Sequence, residues 1–332
     1  MIKGHGDDAY LYEGITINGD FSSNICPHDS RQPLVDHLAS QGCRLLDHYP
    51  EPEAWSLERR LADIHGIDPV SVVVTSGATD AIHLVAQTYR YTPVIPAPAF
   101  SEYADACVLY PPKGGDTKDK ALWLCNPSNP AGQVYDDDYI RRGCNSYELV
   151  VVDQSYEYYS DCPVLSARDA CQMSNVVLIH SMTKTYGVPG LRLGYITAHP
   201  DLAEDFRRFL RPWAVSAHAI EAGHYLLDHH DAMVVRPDFA ETRRLWQGLN
   251  AINGIEALPT HTNFMLCRLT AKENGQPPLS AKELKERLVC EYGLLIRDAS
   301  NFQGLTPYHF RVAAQRPQQN DALLQALQAI LS

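Results

Sequence analysis

Through its first two thirds the chain alternates short, unbroken apolar runs with stretches whose apolar residues return every three or four positions. The runs Ser71–Thr75, Pro93–Ile95, Ala121–Cys125, Leu149–Asp153, Val176–His180 and Leu193–Ala198 read as buried strands. Between them, sets such as Leu57, Leu61, Ile64 and Ile82, Val85, Ala86, Tyr89 fall on one face of a helix. This alternation predicts an α/β layer built on a mostly parallel sheet. Such sheets collect ligands at the C-terminal ends of their strands. Gly77, Asn126, Asp153 and Ser181 stand at four of those ends.

From about Asp201 the pattern changes. A helical stretch carries Arg207 and Arg208 into a long span, Ala217–Leu249, that reads as helix. A strand at Asn263–Cys267 follows, then a helix over Ala281–Tyr292 that Gly293 ends. Strands Leu294–Asp298 and His309–Ala313 come next, and a last helix opens with Pro317 in its first turn. This order predicts a smaller α+β domain. The expected organisation is an arm over residues 1–45 that joins the small domain, a large domain over 46–205 and a small one over 206–332. The arm has no clear periodicity, and the chain has no repeats or low-complexity segments.

Composition narrows the class. At 332 residues the chain can bury a large core, and its 45% apolar content excludes general disorder. A net charge of −12 argues against nucleic acid or an anionic membrane as partner, though it leaves room for a local basic pocket. The nine cysteines are scattered, with no CxxC pair, which reads as reduced thiols. The start, MIKGHGDDAY, has no apolar signal core, and no run of about eighteen apolar residues occurs. A soluble, cytoplasmic protein is expected.

The chemistry concentrates in Ser181–Tyr195, SMTKTYGVPGLRLGY. Lys184 lies three residues after Ser181 and eight before Arg192. A lysine amine forms an imine with an aldehyde, while a nearby hydroxyl and guanidinium hold a phosphate. Pyridoxal 5'-phosphate (PLP) makes both demands. The segment resembles the lysine segment of the class I/II aminotransferase superfamily, which implies PLP fold type I, a large domain with a mostly parallel sheet flanked by helices plus a smaller α+β domain.

Other residues answer the cofactor's further needs. Asp153 closes the apolar run LVVV, and D-Q-S-Y resembles the family's D-x-A-Y. The resemblance gives Asp153 the pyridine nitrogen and Tyr156 the phenolic oxygen. Asn129 in CNPSNPAG, similar to the family's NPxNPTG with Ala131 replacing threonine, would be the second donor to that oxygen. TSGATDAIHLVAQ sets a strand end, a glycine and small residues before a helix, so Gly77, Ala78 and Thr79, with Ser181 and Arg192, form a phosphate cradle. Phe100 in PAPAFSEY falls where the family stacks an aromatic on the ring. Arg311 in HFRVAAQ matches the arginine that holds the substrate carboxylate, a task its planar fork suits. Tyr49 in HYPEPEAW matches a tyrosine that reaches the neighbouring subunit's phosphate, which implies a homodimer with shared active sites.

Two subfamilies share these segments: histidinol-phosphate aminotransferases and the L-threonine-O-3-phosphate decarboxylases of the cobalamin pathway. GHGDDAY, DFSSNICP and RDASNFQGL are more similar to the second. That likeness implies that His5 and Asn24 contact a small phosphorylated amino acid or amine, His5 at its phosphate; Cys26 departs from the family's asparagine. Decarboxylation is the leading expectation and transamination to 2-oxoglutarate the alternative. Asp228, His229, His230 and Asp231 carry metal-ligand groups, but neighbours on a helix face apart, and no metal is expected.

Overall fold

The computed structural model describes residues 6–113, 119–271 and 278–332. Its largest sheet runs, from edge to edge, Val72–Thr75, Gly194–Ala198, Val176–Ser181, Leu149–Asp153, Lys120–Cys125 and Thr92–Val94. Four strands, from Val176–Ser181 to the Thr92–Val94 edge, are mutually parallel. Gly194–Ala198 runs antiparallel to both its neighbours, so the sheet is mixed. Leu149–Val152 are buried without a break because helices cover both faces, which is why these strands lack apolar–polar alternation. Each predicted strand is present within a residue or two of its expected bounds.

A second sheet of four strands orders Arg297–Asp298, His309–Ala313, Phe264–Leu269 and Ile255–Ala257, all antiparallel. Helices Ala281–Tyr292 and Pro317–Leu331 pack on it around Leu284, Leu288, Phe310, Leu323 and Leu327. Ser280 and Glu283 cap the first of them reciprocally, and Gly293 (φ 68°) stops it. The arm contributes a two-residue strand, Gly19–Asp20, paired parallel with Leu294–Leu295.

Two expectations are corrected. The span Ala217–Leu249 is not one helix: it is Ala217–Asp228, His230–Met233 and Phe239–Asn250, broken where Val234 turns extended before Pro237 and where Asp238 caps the next helix. The run Leu294–Asp298 splits into two strands of different sheets, because its first half pairs with the arm and its second with Arg311 and Phe310. Asp228 pairs with Arg60 while the His230 ring meets Tyr186 Oη at 2.8 Å, so these neighbours do face apart. Among the described residues no helix is long and apolar enough to cross a membrane.

Candidate active site

The C-terminal ends of the parallel strands, the arm and the small sheet enclose a cavity of about 390 Å³. Ala78, Thr79, Phe100, Asn129, Asp153, Tyr156, Ser181, Lys184, Arg192 and Arg311 all line it.

Lys184 sits on the short helix Met182–Tyr186, which begins where strand Val176–Ser181 ends. Its Nζ donates to the Ser23 carbonyl at 2.9 Å. Burial, with the Arg311 charge adding to it, lowers its pKa to about 8. Only the neutral amine attacks an aldehyde. Capture of pyridoxal phosphate by the apoprotein should therefore quicken as pH rises through about 8, followed by stopped-flow absorbance; a midpoint near the usual lysine value of about 10.4 would refute it.

Asp153 is the last residue of a fully buried strand. Tyr103 Oη donates to its Oδ2 at 2.7 Å and the Ser155 N–H to its Oδ1 at 2.9 Å. Burial nonetheless raises its pKa. A buried carboxylate under that load is suited to a cationic N–H in the cavity. Tyr156 Oη accepts from Asn24 Nδ2 at 3.2 Å, which places Asn24 behind the tyrosine. Burial pushes the Tyr156 phenol up to about 12.

At the phosphate end, Gly77 precedes helix Ala78–Tyr89 at φ 88°. A Cβ there would stand 2.9 Å from Arg192 Nη2, so the guanidinium lies against a backbone that only glycine allows. Gly194 makes a matching approach: its Cβ would come within 2.7 Å of the Ala78 nitrogen. The result is a helix N-terminus with a guanidinium beside it.

Arg311, 4% exposed, donates through Nη1 to Asn129 Oδ1 and through Nη2 to the Ser22 carbonyl at 2.5 Å. Among the described residues its Nε has no acceptor. Burial lowers its pKa to about 10. Phe100 closes the opposite wall, its ring edge-on to Tyr103 at 5.8 Å.

His5 lies outside the described residues, although Gly6 and Asp7 beside it line the cavity. Tyr49 is 84% exposed, its ring 5.3 Å from Trp213, and does not reach the cavity of its own chain.

The structure also adds residues. Tyr103, fully buried, follows Phe100 by one helical turn, and that spacing was its only signal. Arg297 lines the cavity and is the register partner of Arg311 across two strands. Its Nη2 donates to Asn301 Oδ1 at 2.8 Å and its guanidinium lies 5.2 Å from the Phe302 ring centre. A charge at the end of LLIRD was the signal for it.

These residues fit pyridoxal 5'-phosphate: a depressed amine, a buried carboxylate whose pKa burial raises, and a glycine cradle under an arginine stand around one cavity. Residues 109–327 match the family model described as aminotransferase class I and II. The chain belongs to that family.

Within the family it is similar to more than one enzyme. The structure of L-threonine-O-3-phosphate decarboxylase from Porphyromonas gingivalis superposes with a TM-score of 0.84 at 35% identity, covering 94% of this chain and 98% of that one. The histidinol-phosphate aminotransferase of Caldanaerobacter subterraneus is 28% identical over 100% of this chain and 97% of its own. The histidinol-phosphate aminotransferase of Sinorhizobium meliloti, solved with pyridoxal 5'-phosphate, shares the fold at a TM-score of 0.81 and 16% identity, covering 99% of this chain and 95% of that one. The architecture is that of PLP fold type I.

Proposed function

We propose that this PLP-dependent enzyme decarboxylates L-threonine O-3-phosphate, as in the cobalamin pathway. The observation that carries the reading is the pair Arg297 and Arg311, side by side on adjacent strands at one wall of the cavity. Two guanidiniums there suit a small substrate with two anionic groups, one carboxylate and one phosphate. The likeness to the Porphyromonas gingivalis decarboxylase supports the same choice.

When bound, the cofactor supplies an aldehyde for the substrate amine and a ring that accepts the electron pair of the bond broken at Cα. The chain's residues do the rest. Asp153 would hold a proton on the ring nitrogen, and Tyr156 and the Asn129 amide would donate to the phenolic oxygen. Gly77, Ala78, Thr79, Ser181 and Arg192 hold the cofactor phosphate. Arg311 grips the substrate carboxylate and so sets which bond at Cα lies along the π system. Arg297 would take the substrate phosphate. After carbon dioxide leaves, Lys184 returns a proton to Cα, giving an aminoalkyl phosphate.

The enzyme works as a homodimer in this reading, since exposed Tyr49 and Trp213 stand ready to enter a second copy's site. The nine free cysteines accord with the cytoplasm.

The test is incubation of the PLP-loaded protein with L-threonine O-3-phosphate and no keto acid, following carbon dioxide and the cofactor spectrum. Sustained gas release with an unchanged spectrum is expected. Conversion of the cofactor to its pyridoxamine form without gas would establish a transaminase, the reading favoured by the Caldanaerobacter relative. Diluting the same assay tests the shared site: activity per chain should fall as dimers separate, and a constant value would count against it.

A further inference from the structure

A second cavity, of about 360 Å³, lies on the other side of the arm, where the segment Cys26–Arg31 meets Ala232–Thr242 and Ala314–Pro317. Arg31, Arg236, Arg316 and His28 all line it. In a chain of net charge −12 this is a local concentration of positive groups.

The nearby acids are already committed. Asp238 accepts the N–H groups of Ala240 and Glu241 as a helix cap. Glu241 is taken by Arg244, at 2.7 and 2.8 Å, and by Asn320 at 2.6 Å. Asp29, fully exposed, lies 3.9 Å from Arg316.

Arg31 has no hydrogen-bonded acid of this kind among the described residues, although the charge of exposed Asp29 acts on it. Among the described residues its Nε and Nη2 are buried without an acceptor, and its Nη1 has only the Met233 sulfur at 3.9 Å. Buried guanidinium nitrogens without an acceptor are costly, and proteins rarely leave them so. A second orphan lines the same cavity. Asn263 is 1% exposed, its Nδ2 donates to the Asn24 carbonyl at 3.2 Å, and its Oδ1 has no donor. The two vacancies are complementary: one asks for an anionic acceptor, the other for a hydrogen-bond donor. A protonated oxyanion offers both.

We propose that this cavity is a second ligand site, distinct from the catalytic one, that binds a small oxyanion bearing an O–H donor, of the class of hydrogen phosphate. Its wall is continuous with the catalytic machinery. The His28 ring packs against Gly187, the glycine that closes the Lys184 helix. Tyr159 Oη accepts from the Cys26 N–H and donates to the Lys184 carbonyl at 2.7 Å. Gln315 and Arg316 hold the carbonyls of Ile25 and His28. An anion here therefore sits where the arm is clamped between the two sheets.

The test is calorimetric titration of inorganic phosphate into the holoenzyme, for the wild type, Arg31→Gln and Arg297→Gln. A binding event is expected that survives Arg297→Gln and weakens at least about tenfold in Arg31→Gln, the loss of charged hydrogen bonds. Should Arg31→Gln not accumulate as holoenzyme, Asn263→Asp serves, because its carboxylate repels an anion; the same loss is expected. Phosphate binding that is unchanged in the Arg31 or Asn263 variant, or that Arg297→Gln alone removes, would overturn the proposal. The Arg297 arm reports on the catalytic site, so the two readings fail separately.

Discussion

Lys184→Ala is expected to lower turnover about 10³-fold or more while the protein stays folded. In the proposed mechanism the lysine would hold both the cofactor aldehyde and the proton returned to Cα, a double task that no other side chain described at the cavity offers. Its loss should not weaken the fold. The amine is buried, its pKa is depressed to about 8, and its one hydrogen bond among the described residues goes to the Ser23 carbonyl. Removing a cation that burial disfavours offsets the lost bond. Steady-state assays and thermal unfolding of the apoproteins check both halves. A variant that kept a tenth of the activity would remove Lys184 from the mechanism; one that failed to fold would mean the amine is structural.

Asp153→Asn should follow, with kcat lower by about 10²-fold and KM nearly unchanged. Asparagine keeps the shape that Tyr103 and Ser155 grip, at 2.7 and 2.9 Å, and removes only the charge. In the proposed mechanism the ring nitrogen would then no longer be held protonated, and the ring would draw electrons less strongly when the bond at Cα breaks. The effect belongs to the transition state, so it appears in kcat. The visible absorbance of the bound cofactor should shift in the same variant. A raised KM with kcat intact would instead assign Asp153 to binding.

Much of this was legible in the residues, and the reasons differ by element. The LVVVD strand announces itself because a strand covered on both faces needs no alternation, and its terminal charge stands out. Gly293 and Pro317 end and begin helices by backbone constraints alone, so the bounds there are met to the residue. Ile255–Ala257 was missed because three residues carry no period. The break near Pro237 was read through because Val234 and Val235 fit an apolar helix face, although proline and Asp238 mark a new start. In the site, Asp153, Asn129, Lys184 and Arg311, each in a motif of its own, line one cavity, whereas Tyr49, also in a motif, does not. Tyr103 and Arg297 were not legible, because their meaning comes from partners 50 and 14 residues away, Asp153 and Arg311.

The arm has one more consequence. Phe21 takes the Leu295 and Ala313 backbones, Ser22 the Arg311 guanidinium, and Ser23 the Lys184 amine. On a ribosome these residues emerge first and most of their partners last. The large sheet can assemble during synthesis, but the floor under Lys184 cannot be laid until residue 313 has left the tunnel. A nascent chain should thus stay catalytically silent until residue 313 is free to pair with Phe21.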